Sequence, residues 1–252
     1  MKQTKTLLLF LLCGLLSGCY SIRPSSVSVA PVSHDSWTAL LQKHVNQNGF
    51  VDYNGFIADS NELNFYIQTL QNNPPNIETW SRNDILAYWI NAYNAFTVQI
   101  VIRNYPTASI KDIKPGIGFI NSVWDIKFIE IAGLQLDLNN IEHNILRKMD
   151  EPRIHFAINC ASYSCPVLGR NAYTAKQLDM QLDEAARLFV NDPTRNHISD
   201  TSAAISSIFN WFTGDFTKNG SLTEFINQYS TTRIPPEVRI TFLPYDWRLN
   251  SQ

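Results

Sequence analysis

Apolar residues recur along much of this chain at intervals of three and four positions, which is the spacing of helices with one buried face. The longest such pattern runs from Ser81 to Asn104 and is apolar nearly all round, so we expect it to be the central buried helix. Ser81 or Asn83 is its predicted cap. Shorter helical patterns occupy residues 37–48, 63–70, 139–148, 173–189, 206–212 and 222–229.

Strand patterns are shorter and fewer. Residues 123–131 and 134–137 predict a β-hairpin, and residues 197–199, 203–205 and 239–243 predict further short strands. The run from Ile154 to Ile158 is too short for a stable helix and rich in branched and aromatic residues, so it reads as a buried strand. The fold class is therefore α+β: a helix-rich single domain over residues 35–252, packed around a small, mostly antiparallel sheet.

The first eighteen residues have the pattern of an export signal. Lys2 and Lys5 precede an apolar run from Leu7 to Leu16, which is shorter than the roughly 20 residues that a membrane-spanning helix needs. Residues 16–19 read Leu-Ser-Gly-Cys and resemble the lipobox of bacterial lipoproteins. That resemblance implies cleavage before Cys19 and attachment of lipids, palmitate among them, to this residue. The alternative is a secreted protein with a chance cysteine at the cleavage site.

Residues 19–34 are rich in Ser and Pro and are expected to form a flexible tether behind the anchor. The residue after the lipidated cysteine is Tyr20 rather than the aspartate that usually retains lipoproteins at the inner membrane. The expected location is therefore the outer membrane, with the domain facing the periplasm, and the expected partner is a membrane bound through Cys19.

Charge and glycine content exclude several classes of ligand. The formal charge is −2, and removal of residues 1–18 takes away two lysines and no acid, so no basic surface is expected for nucleic acid. Ten glycines are few for a phosphate-binding loop. The stretch from Lys114 to Gly118 continues to Asn121 where a dinucleotide motif needs glycine, so no cofactor is predicted.

The candidate chemistry lies in the stretch from Arg153 to Pro166, where the predicted strand runs into a turn with two thiols. Three interpretations of Cys160 and Cys165 compete. They could form a disulfide in an oxidising compartment. Cys160 could be a nucleophile that a histidine activates. With two histidines, the thiols could also bind zinc, although their spacing is unusual and no metal site is predicted.

Strand periodicity assigns the two histidines different positions. On a strand, His155 faces away from Cys160, so His143 on the preceding helix is the better general base. Glu142 or a distant Asp could then orient the imidazole. The candidate catalytic residues are therefore Cys160, His143 and Glu142, although a purely structural role is open for each histidine.

Further polar residues near these elements are candidates for ligand binding. Buried amides and phenols need hydrogen-bond partners, so such groups on the central helix either brace neighbouring loops or reach the site. Two arginines could bind a carboxylate or simply pair with nearby acids. The binding candidates are Asn91, Tyr93, Asn94, Arg147, Arg153, His155 and Ser164.

Four blocks in order resemble one protein family. They are residues 88–94, residues 141–147, residues 153–160 with 164–166, and Tyr173 followed by a Leu-rich helix. Together they resemble the bacterial family called domain of unknown function 547, over a family core of about residues 83–189. The resemblance implies a fold similar to papain-like and transglutaminase-like cysteine hydrolases, although here no long helix opens with a cysteine.

Two functions follow as hypotheses. The first is a lipid-anchored, cysteine-dependent hydrolase or transferase that acts on acyl or peptide bonds. The second is an envelope module without catalysis that binds an unknown protein, peptide or glycan and has a structural pair of cysteines.

Overall fold

The computed structural model describes residues 30–114 and 122–252. The predicted export signal at residues 1–18, the lipidation site Cys19 and most of the tether at 19–34 lie outside the described residues.

Helices dominate the described part of the chain. Its α-helices are α1 (Asp35–His44), α2 (Tyr53–Ala58), α3 (Ser60–Asn72), α4 (Arg82–Arg103), α5 (Ile154–Ala157), α6 (Leu178–Val190), α7 (Ser207–Trp211), α8 (Thr213–Phe216) and α9 (Leu222–Asn227). A π-helical segment, Asn140–Ile145, runs directly into a 3-10 turn, Leu146–Met149. The helix predicted at 139–148 is therefore present, but its first part is a π-helix, which is wider than an α-helix, and its second part is a tighter 3-10 helix.

The strands form two small sheets rather than one. They are β1 (Ile129–Ile131), β2 (Leu134–Leu136), β3 (His197–Ile198), β4 (Ala203–Ser206) and β5 (Ile240–Leu243). Strands β1 and β2 form the predicted hairpin, which is shorter than expected because Val123–Asp125 is a 3-10 turn. Strand β4 pairs antiparallel with β3 and parallel with β5. The mixed α+β class is confirmed.

Helix α4 is the centre of the larger core, as its all-round apolar sequence predicts. Ser81 caps it by accepting the Asp84 N–H, while the Asp84 carboxylate accepts the Ser81 N–H. All residues from Leu86 to Val101 are buried. By length and composition α4 could cross a membrane, but 89% of its most apolar window is buried inside the domain. Helix α4 is therefore the core helix of this domain.

Helix α5 lies between the two hydrophobic cores, and the predicted strand at 154–158 is wrong. Ile154 and Ala157 pack into the core around α4, whereas Phe156 packs into a second core with other phenylalanines, including Phe189 and Phe209. A segment buried on every side shows no polar face, so its composition cannot distinguish one helical turn from a strand. The chain becomes extended only at Ile158.

Helix α6 begins at Leu178, five residues later than Tyr173, where the sequence predicts its start. Side chains explain the delay. The Asn91 carboxamide accepts the Tyr173 N–H at 3.0 Å, and the Gln181 carboxamide accepts the Thr174 N–H at 3.0 Å. These partners satisfy the backbone donors outside a helix.

The C-terminal segment packs on the rest of the domain. Single β-bridges join Arg248 to Ser109, Leu249 to Ser162 and Ser251 to Val51. The buried Tyr53 hydroxyl also donates to the Asn250 side-chain oxygen at 2.7 Å. The last residues of the chain therefore reach the loop that carries the two cysteines.

Asn94 should contribute strongly to stability because it links α4 to the chain after α5. Its carboxamide donates to the Ala157 carbonyl at 3.0 Å and accepts the Asn159 N–H at 2.8 Å, both in the buried interior. Asn94→Ala leaves two buried backbone groups without a partner, so we expect the free energy of unfolding to fall by about 2–4 kcal/mol in urea titrations.

Asn61→Ala is the matched control, since Asn61 is exposed on helix α3. Its effect should stay within about 0.5 kcal/mol. Equal effects of the two substitutions would contradict the role of Asn94.

Candidate active site

The two cysteines lie on a loop that begins where α5 ends. Asn159, which is buried, holds this loop: its side chain donates to the Pro166 carbonyl at 2.7 Å and accepts the Ala161 N–H at 2.9 Å. Ala161 has a φ of 60°, the left-handed region that residues with a β-carbon seldom adopt. Such strained conformations persist where surrounding bonds impose them, and they cluster at functional sites.

The Cys160 sulfur belongs to a ring of three hydrogen-bonding groups. The Ser162 hydroxyl lies 3.1 Å and the Tyr245 hydroxyl 3.4 Å from this sulfur, and Ser162 Oγ donates to Tyr245 Oη at 3.0 Å. Since a hydroxyl both donates and accepts, the ring accommodates a thiol or a thiolate at Cys160. Cys160 as a residue is partly exposed, and it lines a cavity.

Cys165 plays a different part. It is buried, and its sulfur accepts the backbone N–H of Cys160 at 2.8 Å. Both cysteines are free thiols, so the disulfide considered above is not present in this structure. Arg195 braces the loop from behind, where its guanidinium donates to the carbonyls of Tyr163 and Cys165 at 2.9 Å each.

The pKa values of the two thiols shift in opposite directions. Burial raises the pKa of Cys160, but hydrogen bonds from Cys165, Ser162 and Tyr245 stabilise its thiolate more strongly and lower the pKa from 9.0 to about 7. Burial raises the pKa of Cys165 well above its ordinary range, and the neighbouring Cys160 adds to this effect. Cys160 is therefore the thiol that ionises first.

Cys160 lines a cavity of about 170 Å³ that also gathers the other candidate catalytic residues. Glu142, His143 and His155 line the same cavity. The prediction that His155 lies on the opposite side from Cys160 is wrong, because residues 154–157 form a helical turn instead of a strand. Among the described residues, neither imidazole forms a hydrogen bond with the Cys160 sulfur.

Glu142 is a buried carboxyl beside the thiol. The Tyr93 hydroxyl donates to Glu142 Oε2 at 3.3 Å. Burial, reinforced by the proximity of Cys160, raises the pKa of Glu142 to about 7, against the opposing effects of Tyr93 and Arg147. Near neutral pH, negative charge on one of these two groups therefore disfavours negative charge on the other.

The two histidines join a network centred on Asp215. The Arg147 guanidinium donates to this carboxylate through Nε at 2.6 Å and Nη2 at 3.1 Å, and His155 Nε2 donates to it at 2.8 Å. The hydrogen bond from His155 and, to a smaller extent, the hydrogen bonds from Arg147 hold the pKa of Asp215 well below its usual range. The His155 ring also stacks on Phe212, with 3.9 Å between ring centroids.

His143 is tied to the same network through Arg147, whose Nη1 lies 3.3 Å from His143 Nδ1. An arginine can only donate, so Nδ1 accepts and the neutral ring carries its proton on Nε2. Burial and the Arg147 charge lower the pKa of His143. His143 is therefore neutral at pH 7, with Nε2–H as its donor.

The remaining binding candidates lie apart from the sulfur. Asn91 and Asn94 use their carboxamides on backbone groups of neighbouring segments. Ser164 Oγ accepts the Asp246 N–H at 2.9 Å, which ties the loop to the C-terminal segment. Arg153 forms ion pairs of 2.7–2.8 Å with three acids, Glu151, Asp179 and Asp183.

The zinc interpretation has no support from the geometry. Across residues 30–114 and 122–252, no group of three or more His, Cys, Asp or Glu side chains is arranged to hold a metal ion.

Comparison with protein families gives one match. Residues 77–190 match the family model described as "Protein of unknown function, DUF547". The resemblance predicted from the four sequence blocks is thereby confirmed over this stretch. The DUF547 segment contains Glu142, His143, His155 and both cysteines of the site. No curated protein and no solved structure matches the chain.

Asp215 and Tyr245 complete the site from beyond the end of the DUF547 segment at residue 190, and sequence reasoning did not identify them. They stand 60 residues from His155 and 85 residues from Cys160, and Ser162 was also missed within the loop itself. The sequence holds no local signal for them, because nothing in the order of residues shows which distant side chain reaches the thiol.

The hydrogen bonds around the Cys160 sulfur predict that its alkylation has an unusually low midpoint pH. Alkylation by iodoacetamide, followed by peptide mass spectrometry, should rise with pH to half its maximum near pH 7, because the thiolate is the reactive form. Tyr245→Phe removes one donor to the sulfur and should move the midpoint upward by about one pH unit.

Tyr163→Phe is the control, since that tyrosine lies on the same loop but contacts the site only through its backbone. A wild-type midpoint near 9.0, the ordinary thiol value, would contradict the claim that these hydrogen bonds stabilise the Cys160 thiolate.

Proposed function

We propose that this chain is a lipid-anchored protein of the bacterial envelope and acts as a cysteine-dependent hydrolase or transferase on acyl or peptide bonds. The observation that carries the enzymatic part is the Cys160 thiol. Its pKa is lowered to about 7, and Cys160, a partly exposed residue, lines a cavity with a carboxyl and two imidazoles. Such a thiol is a far better nucleophile at neutral pH than an ordinary cysteine.

In the proposed reaction the Cys160 thiolate attacks the carbonyl carbon of the substrate. A C–S bond forms, the bond to the leaving amine or alcohol breaks, and the leaving group takes a proton. Water or an acceptor nucleophile then attacks the thioester, loses a proton, and restores the thiolate. One group must therefore donate a proton in the first half and accept one in the second.

Glu142 suits this proton transfer better than His143. The pKa of Glu142 is raised to about 7 by burial and by Cys160, so the carboxyl is protonated when the thiol is ionised. The basic nitrogen of His143 is occupied by Arg147, which leaves Nε2–H as a donor. We therefore propose His143 as a neutral hydrogen-bond donor to the substrate carbonyl oxygen, rather than as the general base.

Arg147 and Asp215 have positioning roles in this proposal. Arg147 fixes the tautomer of His143, and Asp215 holds both Arg147 and His155 in place. Residues that hydrogen-bond to catalytic side chains in this way orient them without touching the reacting atoms.

A burst experiment separates the roles of Cys160 and Glu142. With p-nitrophenyl acetate and the full chain in detergent, acylation needs no proton donor because p-nitrophenolate is a good leaving group. Glu142→Gln should keep the burst of p-nitrophenol but slow steady-state turnover by about 10²-fold, since attack of water on the thioester lacks its base. Cys160→Ala should abolish both phases.

Glu237→Gln serves as the control because Glu237 is exposed and is not among the residues that line the cavity. Unchanged turnover in Glu142→Gln, or a burst that survives in Cys160→Ala, would exclude the assigned roles.

The envelope location rests on the N-terminal sequence. The basic start, the apolar run and the Leu-Ser-Gly-Cys sequence at 16–19 support lipidation of Cys19 and retention at the outer membrane, with the domain in the periplasm. Radioactive palmitate should label the wild-type chain in bacteria, and Cys19→Ser should lose the label and leave the membrane fraction. Continued labelling of Cys19→Ser would contradict the anchor.

The second candidate function is an envelope module that binds a protein, peptide or glycan without catalysis. It is favoured by one observation: within the described part of the chain, neither His143 nor His155 is hydrogen-bonded to the Cys160 sulfur. In that case folded Cys160→Ser and His143→Ala variants would retain the role of the protein in cells, whereas loss of that role would favour the enzyme.

A further inference from the structure

Polar side chains that line the cavity beside Cys160 are largely engaged with neighbouring residues. His155 donates to Asp215, which also accepts from Arg147, and Asn139 donates to Asp125 at 2.7 Å. The Tyr93 hydroxyl is likewise used by the Glu142 carboxyl. A substrate with its own charge would therefore have to break an existing ion pair or remain unpaired, which is costly in a partly buried site.

Four aromatic rings also line this cavity. Trp211, Tyr245 and Trp247 contact one another, with ring centroids 4.5–5.7 Å apart, and Trp124 meets Trp247 edge to face at 5.6 Å. Trp211 is 47% exposed despite its size, so part of its surface is available to a ligand.

The size of the cavity limits what can pack against these rings. Its volume is about 170 Å³, and an apolar protein cavity of about 150 Å³ can hold one benzene molecule. Aromatic rings interact favourably in offset-stacked or edge-to-face arrangements; Trp211 and Trp247 are stacked, and Trp124 meets Trp247 edge to face. A single six-membered ring therefore fits both the volume and the chemistry.

We infer that the acyl group transferred to Cys160 is uncharged and carries an aromatic ring that packs against Trp211, Tyr245 and Trp247. This inference rests on the proposed nucleophilic role of Cys160 and adds the class of substrate.

A sugar ring has a similar size, but its hydroxyls need several hydrogen-bond partners. Tyr93, Asn139 and His155 are already engaged, and the remaining donor, His143 Nε2–H, is assigned to the substrate carbonyl.

The test is the rate at which chloroacetamides of different shape alkylate Cys160 in the full chain. In each case the sulfur displaces chloride, so a C–S bond replaces the C–Cl bond. The reagents are N-benzyl-chloroacetamide, its N-carboxymethyl analogue and N-chloroacetylglucosamine, each normalised to its rate with glutathione. Burial of the phenyl ring should make the benzyl reagent about tenfold faster than the other two.

Substitutions of Trp211 should change this ratio. Trp211→Ala should reduce the preference for the benzyl reagent to about twofold, as expected when most of the ring contact is lost. Trp211→Arg should favour the carboxymethyl reagent instead, because it adds an unpaired cation at the mouth. Phe65→Ala, at an exposed phenylalanine on helix α3, should keep the wild-type ratio.

The outcomes separate this inference from the proposed function. Alkylation of Cys160 at equal normalised rates by all reagents, or fastest by the glucosamine reagent, would overturn the aromatic specificity and leave the nucleophile intact. An unchanged ratio in both Trp211 variants would do the same. Failure of every reagent to modify Cys160 would contradict the proposed function itself.

Discussion

The candidate site depends on the buried hydrogen bonds of one residue, Asn159. Its N–H is held by Asn94 of the central helix, and its side-chain oxygen accepts the N–H groups of Ala161 and of the Asn250 carboxamide. Its amide nitrogen donates to the carbonyl of Pro166. Through its backbone N–H and its side chain, this residue joins the core helix, the left-handed turn after Cys160, the end of the thiol loop and the C-terminal segment.

This arrangement explains how a reactive thiol can remain ordered beside a strained backbone. The loop is not held by a disulfide, since Cys165 uses its sulfur to accept the N–H of Cys160. Instead, Asn159 and Arg195 fix its carbonyls and amides from two sides. The pKa of Cys160 is lowered by hydrogen bonds from the Cys165 thiol and then from two hydroxyls, rather than by a histidine, and the pKa of its neighbour Glu142 is raised in turn.

The parts of the fold that could be predicted from sequence are those with strong local signals. Helix α4 was predicted, with its observed cap Ser81 as one of two candidates, because a helical pattern as long as that from Ser81 to Asn104 has few alternatives. Helix α5 was not, because Ile154–Ala157 is buried on all sides and too short to display a period. Because of that error, His155 was predicted to face away from Cys160, whereas both residues line the same cavity.

The site shows the same division. Cys160 stands out in sequence because thiols in a turn after a buried run suggest chemistry, and Glu142 and His143 follow from the neighbouring helix. Ser162, Asp215 and Tyr245 are ordinary residues in sequence, and their roles arise only from contacts, two of which span 60 and 85 residues. Hydrogen bonds between distant segments leave no periodic signal.

The most direct test of this account is to trap the acyl group on Cys160. The full chain would be mixed with p-nitrophenyl phenylacetate, quenched in acid within the burst, and examined by intact-protein and peptide mass spectrometry. The account predicts one phenylacetyl group on the peptide that contains Cys160, removed by neutral hydroxylamine and absent in Cys160→Ala. An acyl group of equal yield on Cys160→Ala, or on Cys165 of the wild-type chain, would contradict it.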